Sequence, residues 1–154
     1  MVRLILGVGQ TAYKIKAANK MYEKIKYNKL NSKQQEVYNF QRLAGLMAEY
    51  GFNCIKLSDD WNGADFLAYH FDGESTLKVQ LKGRLTIDKR YKNEIYMAFP
   101  INDDWYLIKH GDLKEIIGTK TKFLLSDSWI NGGGYSTGKP SKIIIDSLTN
   151  YKLT

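Results

Sequence analysis

The spacing of apolar positions changes from helical to extended after Gly51, and that change predicts the layout of the chain. Val2, Leu4, Ile5, Leu6 and Val8 predict a short strand over residues 2–8. From Thr11 to Leu30 apolar residues recur at helical spacing, with Ala18, Met21, Tyr22 and Ile25 separated by lysines. Asn31-Ser32 predicts a turn, and Ser32 followed three residues later by Gln35 has the form of a capping box. A second helix then runs to about Tyr50, with Val37, Phe40, Ala44 and Met47 on one face. Gly51 ends it, because a left-handed residue costs least as glycine.

Beyond Gly51 the period is two. Phe52–Leu57 predicts a strand, Ser58–Gly63 a turn and Ala64–Phe71 a second strand. Asp72-Gly73 is a hairpin signal, and Thr76–Leu85 alternates cleanly as a third strand. A basic stretch through Lys92 precedes strands over Glu94–Ile101 and Trp105–Lys109, with a turn between them and a short helix over Asp112–Ile117 after. A strand near Lys122–Leu125, a Gly-rich loop at 132–138 and a final helix or strand from Ser141 complete the chain.

With 154 residues, no internal repeat and no low-complexity linker, the chain reads as a single α/β domain. Within it, residues 1–31 form a basic N-terminal extension, 32–110 the core and 111–154 the C-terminal elements. A composition of 44% hydrophobic and 25% charged residues excludes a disordered acidic tail, a collagen-like chain and a polytopic membrane protein. No apolar run approaches the ~20 residues of a membrane span. Leu4–Val8 is too short for a secretory core, so a cytoplasmic protein is expected.

The formal charge of +7 points to a polyanionic partner. Residues 1–30 carry seven cations and one acid, while the remaining 124 residues carry sixteen bases and fifteen acids. A solvated helix face and an arm lying along phosphates both fit that excess. Cys54 is the one cysteine, which excludes an internal disulfide, and no Cys/His cluster has zinc spacing. His70 and His110 read as structural or surface residues.

Two motifs are decoys. Gly7-Val8-Gly9-Gln10-Thr11-Ala12 fits G-x-G-x-x-A, but a second helix follows where a dinucleotide site needs a parallel strand. Gly133–Lys139 fits G-x-x-x-x-G-K, but the next position is Pro140, which has neither the hydroxyl for magnesium nor an N–H.

The third strand carries the chemistry. At a two-residue period Lys78, Gln80, Lys82 and Arg84 share one face. The Asp72-Gly73 hairpin brings Asp65, at the start of the preceding strand, near Gln80–Lys82, and Glu36 lies on the helix before both. Metal-dependent phosphodiester cleavage uses an acid, then a ligand-type side chain two residues before a lysine. Mg²⁺, with Mn²⁺ as a substitute, takes oxygen ligands. The Asp65 carboxylate, the Gln80 amide oxygen and the Leu81 carbonyl supply three, and Lys82 is suited to orient a water and offset transition-state charge.

This order of elements, with Asp65 opening one strand and Val79-Gln80-Leu81-Lys82 on the next, resembles the PD-(D/E)XK, or restriction-endonuclease-like, superfamily. It is similar to the Q-x-K form of small intron-homing or restriction endonucleases. The resemblance spans about residues 32–110. It implies a central four- or five-stranded mixed sheet flanked by helices, Mg²⁺ dependence and DNA cleavage. By matching position, Asp65 is the metal-binding Asp, Gln80 the (D/E) position, Lys82 the Lys and Glu36 the accessory acid. Ala64 stands where the pattern has Pro, and Gln80 removes one negative charge.

Arg84, Lys89, Arg90 and Lys92 extend the basic face toward DNA phosphates, with Tyr91 and Trp61 as aromatic neighbours. Ser128, Trp129, Tyr135 and Ser136 form a candidate recognition element. The expected partner is double-stranded DNA, and the expected assembly a homodimer or higher homo-oligomer, because two cuts need two sites. An inactive DNA-binding relative and a structural or interaction domain are the alternatives.

Overall fold

Asn31 caps the first long helix. Its Oδ1 accepts the Gln34 N–H and Gln34 Oε1 accepts the Asn31 N–H, both at 2.9 Å. This is the reciprocal box expected of Ser32 and Gln35, one residue earlier. Helix α1 then runs Ser32–Glu49. The computed structural model describes residues 23–154, apart from the side chains of Asp60 and Trp61. The strand expected over residues 2–8 and the helix expected from Thr11 as far as Tyr22 lie outside the described residues.

Where that helix should continue, over residues 23–30, the chain has no regular structure until a single 3₁₀ turn at Tyr27–Lys29. Ile25 is 59% exposed there. A helix draws its stability from burying an apolar face, and this segment buries none. The chain divides into two compact units, Met1–Gln35 and Glu36–Thr154.

The second unit is built on one mixed sheet. Strands β1 (Phe52–Trp61), β2 (Ala64–His70) and β3 (Thr76–Leu81) form an antiparallel meander. Strand β4 (Leu85–Asp88) leaves the sheet. Strand β5 (Tyr96–Ile101) then pairs parallel to β3, and β6 (Asp104–Lys109) pairs antiparallel to β5. Helix α2 (His110–Lys120), strand β7 (Gly134–Thr137), helix α3 (Lys142–Ser147) and the two-residue strand β8 (Lys152–Leu153) follow. The sheet order is β1-β2-β3-β5-β6-β8, so the expected mixed sheet has five substantial strands and a short sixth at its edge.

Strand β1 is longer than expected because an irregularity between Lys56 and Trp61 lets it continue to a tight turn at Asn62 (φ 55°) and Gly63 (φ 86°). The Asp72-Gly73 turn forms as expected, with Asp72 Oδ1 accepting the Glu74 and Ser75 N–H groups at 2.8 and 3.2 Å. The segment near Lys122–Leu125 is a 3₁₀ turn at Phe123–Leu125 rather than a strand. No helix among the described residues is long and apolar enough to cross a membrane.

Hydrophobic cores cover both faces. On one, Leu43 and Met47 of α1 pack with Phe66, Ala68, Val79, Ala98 and Trp105. On the other, Met97, Phe99, Ile101, Tyr106 and Ile108 meet Leu113 and Ile117 of α2, Ile144 of α3, and Leu148. Leu85 and Ile87 of β4 also belong to this second core. The single strand expected over Thr76–Leu85 is therefore two strands in two layers. Its alternation is unbroken, but Val79 is buried against α1 and Leu85 under the opposite face. The chain crosses between layers at Lys82-Gly83-Arg84, and β4 pairs with β7 in a separate two-stranded sheet.

Leu43 is fully buried at the α1–sheet contact. Leu43→Ala is expected to lower the unfolding free energy by about 2–5 kcal/mol in urea denaturation. Burial pushes the Cys54 thiol up to about 11, so its reaction with a disulfide reagent at pH 8 is expected to be slow when folded and fast in denaturant.

Candidate active site

The β2–β3 ladder has backbone partners as far as Phe66 and Val79. One step further, Asp65 replaces the next backbone acceptor with its side chain. Its Oδ2 accepts the Leu81 N–H at 2.8 Å and the Gln80 Nε2 amide at 2.5 Å. On the other side of the same strand end, the Lys82 N–H donates to Ala98 O at 2.8 Å. The last residues of β3 are thus tied to both neighbouring strands, and Gln80 is buried at 7% exposure.

Gln80 Nε2 also lies 3.5 Å from Leu81 O. The three groups expected to share a cation therefore meet at one point, with the amide nitrogen turned toward the carboxylate and the carbonyl. Presenting Oε1 to a cation requires the amide to turn over, which reverses a donor into an acceptor at the same place. The donor set is all oxygen in that state and carries one negative charge, which suits Mg²⁺ completed by phosphate oxygens and waters. Among the described residues no group of three or more His, Cys, Asp or Glu side chains is placed to hold a metal.

Lys82 follows directly. Its ammonium lies 5.3 Å from the centre of the Tyr91 ring, and its charge helps to lower the Asp88 carboxyl. Tyr91 also packs on the Asn62–Gly63 turn that leads into Ala64 and Asp65. A Cβ on Gly63 would meet Tyr91 Cδ1 at 3.0 Å, and Gly63 has positive φ, so this approach requires glycine. The base of the site is thus braced by an aromatic ring between Lys82 and the start of β2.

Glu36 is not part of this cluster. It pairs with Lys56 at 2.7 Å. Lys56 is in register with Phe66, and its ammonium lies 5.7 Å from the Phe40 ring. Phe66 and Phe40 belong to the α1-side core, so Glu36 stands on the sheet face opposite Gln80.

The four expected DNA-contacting cations have separate environments. Arg84 is exposed at the crossing into β4. Lys89 is exposed and folded against its neighbours: its ammonium donates to Ile130 O at 3.0 Å and lies 5.4 Å from the Trp129 ring centre. The Arg90 guanidinium forms two hydrogen bonds to Asp88, at 3.0 and 2.7 Å, and the Arg90 backbone N–H a third at 2.9 Å, which hold that carboxyl below its usual range. Lys92 lines a concavity of about 270 Å³ together with Asn62, Thr76, Lys78, Glu94, Ile95 and Tyr96. An adjoining hollow, sharing Asn62 and Lys78, reaches Ala64 beside Asp65. Of the candidate recognition residues, Trp129 and Tyr135 pack on the second core, and Ser136 is exposed.

His110 is a supporting residue with no local signal in the sequence. It is fully buried and its Nε2 accepts the Asp88 N–H at 3.2 Å, while Tyr91 meets its ring edge-on at 5.8 Å. Because Nε2 accepts, the proton of the neutral ring is on Nδ1. Burial, aided by the Lys114 charge, lowers its pKa.

No protein-family model and no curated protein matches the chain. A solved structure similar to it is that of a bacterial homing endonuclease, I-Ssp6803I, at TM-score 0.42 and 14% identity, over 73% of this chain and 78% of that one.

A histidine held neutral by burial binds fewer protons folded than unfolded, so its contribution is lost as pH falls below about 6.5. Thermal melts from neutral to mildly acidic pH are expected to show wild type losing stability more steeply than His110→Gln. Equal slopes would mean that His110 is not the titrating group.

Proposed function

We propose that this chain is a Mg²⁺-dependent endonuclease of the PD-(D/E)XK type acting on double-stranded DNA. The observation that carries this reading is the meeting of the Asp65 carboxylate, the Gln80 amide and the Leu81 carbonyl at the end of the β2–β3 ladder, with Lys82 next in the chain. In this reading Asp65, Gln80 and Leu81 O hold the cation, which when bound polarises the scissile phosphate and lowers the pKa of a water. Lys82 orients the attacking water and offsets negative charge as a P–O ester bond breaks. The Tyr91 ring lies beside the Lys82 ammonium and limits where it can go.

Arg84 and Lys92 fit the phosphates on either side of the cut, with Lys78 alongside Lys92 in the adjoining concavity. Lys89 and Arg90 act on the same surface through Trp129 and Asp88 rather than as loose chains. Glu36 is left as a structural partner of Lys56. Cutting both strands of a duplex calls for two copies of the site, so a homodimer or larger homo-oligomer belongs to this proposal.

One observation favours a second reading. Gln80 directs a donor at Asp65, which satisfies the carboxylate without a cation. A catalytically silent DNA-binding relative would keep that arrangement permanently.

Plasmid nicking separates the two. The endonuclease reading expects cleavage with Mg²⁺ or Mn²⁺ and none with chelator. It expects losses of about a hundred-fold or more in Asp65→Asn and in Lys82→Met, with unchanged melting of Lys82→Met. Asn at position 65 retains an acceptor for the Leu81 N–H, so this variant tests charge rather than folding. Metal-dependent cleavage that survives both substitutions would remove the site assignment. Salt-sensitive duplex binding with no cleavage under either metal would establish the silent reading instead.

A further inference from the structure

The small sheet of β4 and β7 is the least expected part of the fold, and its two sides differ sharply. Leu85 and Ile87 face inward and are fully buried, and Tyr135 packs on the same core. Thr86 and Ser136, opposite one another in register, face outward with their hydroxyls 3.0 Å apart. Asp88 and Gly134 form the next outward pair, and the Asp88 carboxylate is engaged by Arg90. No large apolar side chain stands on this outer side, so the backbone itself can approach a partner closely.

Charge singles out the same place. Residues 82–92 and 133–142, which comprise the ribbon and its flanks, hold seven cations and one acid. Outside these residues and the first thirty, the chain carries nine cations and fourteen acids. The only acid on the ribbon is the one neutralised by Arg90. Neighbouring strands are about 4.8 Å apart, and a two-stranded ribbon of that width fits a DNA major groove about 12 Å wide.

We infer that the β4–β7 ribbon enters the major groove of duplex DNA, with Thr86 and Ser136 facing the base edges and Arg84 and Lys139 on the flanking phosphates. The proposal rests on the double-stranded DNA reading of the neighbouring site and names the surface that would select its sequence. Thr86 Oγ1 donates to Arg84 O at 3.1 Å. Its one hydrogen is thereby used, so Ser136 donates to Thr86. Both hydroxyl hydrogens then stay within the protein, and the oxygens meet the groove as acceptors. Acceptors there match the exocyclic amino groups of adenine or cytosine. Asp88 has two tasks in this arrangement: it fixes the Arg90 guanidinium, whose side chain is 81% exposed, and it anchors the ribbon end to His110.

Selection from a pool of duplexes randomised at the centre, with Ca²⁺ in place of Mg²⁺, tests this directly. Wild type is expected to enrich a sequence with adenine or cytosine at a defined position. Thr86→Val/Ser136→Ala should lose that preference by roughly ten-fold or more while keeping the slope of log affinity against log salt. Arg84→Ala should keep the preference and reduce the slope by about one. Enrichment of the same sequence by wild type and the double variant would overturn the proposal, as would failure of wild type to bind duplex DNA or to enrich any sequence. Nicking assays with Mg²⁺ and Mn²⁺ distinguish this from failure of the endonuclease reading. Ribbon-dependent enrichment without cleavage leaves the ribbon standing and removes the nuclease. Cleavage with a preference indifferent to Thr86 and Ser136 does the reverse.

Discussion

The end of β3 is the constraint on which the rest of the second unit depends. Leu81 N–H is taken by the Asp65 carboxylate on one side, and Lys82 N–H by Ala98 O on the other. Two successive donors are thus satisfied toward two different strands, and the chain is then released to cross the sheet. Hydrogen bonds to a carboxylate contribute about 1.5–3 kcal/mol each, more than a neutral backbone rung. A single acid therefore stops the β2–β3 ladder, holds Gln80 in place and sets where Lys82 begins. The candidate chemistry and the crossing between layers share this point.

From that crossing follows the two-sided architecture. Strand β5 is buried on both faces, with Met97 and Phe99 toward one core and Ala98 toward the other. Helix α1 seals one side. Leu85 and Ile87, carried across by Lys82-Gly83-Arg84, join α2 and α3 on the other. Buried His110, accepting the Asp88 N–H, ties the far end of β4 to the start of α2, and Tyr91 connects that loop back to Gly63 and Lys82. A change at His110 thus bears on the ribbon and on the aromatic brace of Lys82 together.

Much of this was legible along the chain, and the particular residues explain why. The meander over β1, β2 and β3, the Asp72-Gly73 turn and the proximity of Asp65 to Gln80 all follow from alternation and turn chemistry, which act over a few residues. Misplacements arose where two local solutions were nearly equal. Asn31/Gln34 and Ser32/Gln35 both satisfy a capping pattern, and the helix started from the first. Residues 23–30 carry a helical period, but among them Ile25 is exposed and only a single 3₁₀ turn forms. Glu36, the accessory acid that the resemblance implies, pairs with Lys56 on the α1 side of the sheet, a placement that no local pattern in the chain signals.

By itself the sequence determined the α/β class, the order of the main elements and the pairing of Asp65 with Gln80, since each depends on periodicity, turn residues and one hairpin. Tertiary structure alone decided that the strand expected over Thr76–Leu85 is divided between two layers, because the same alternation is satisfied by either core. It likewise decided that β4 meets β7, from which residue 86 faces residue 136 fifty positions later. A strand pattern states which residues share a face. Which surface that face meets depends on what the remainder of the chain packs against it.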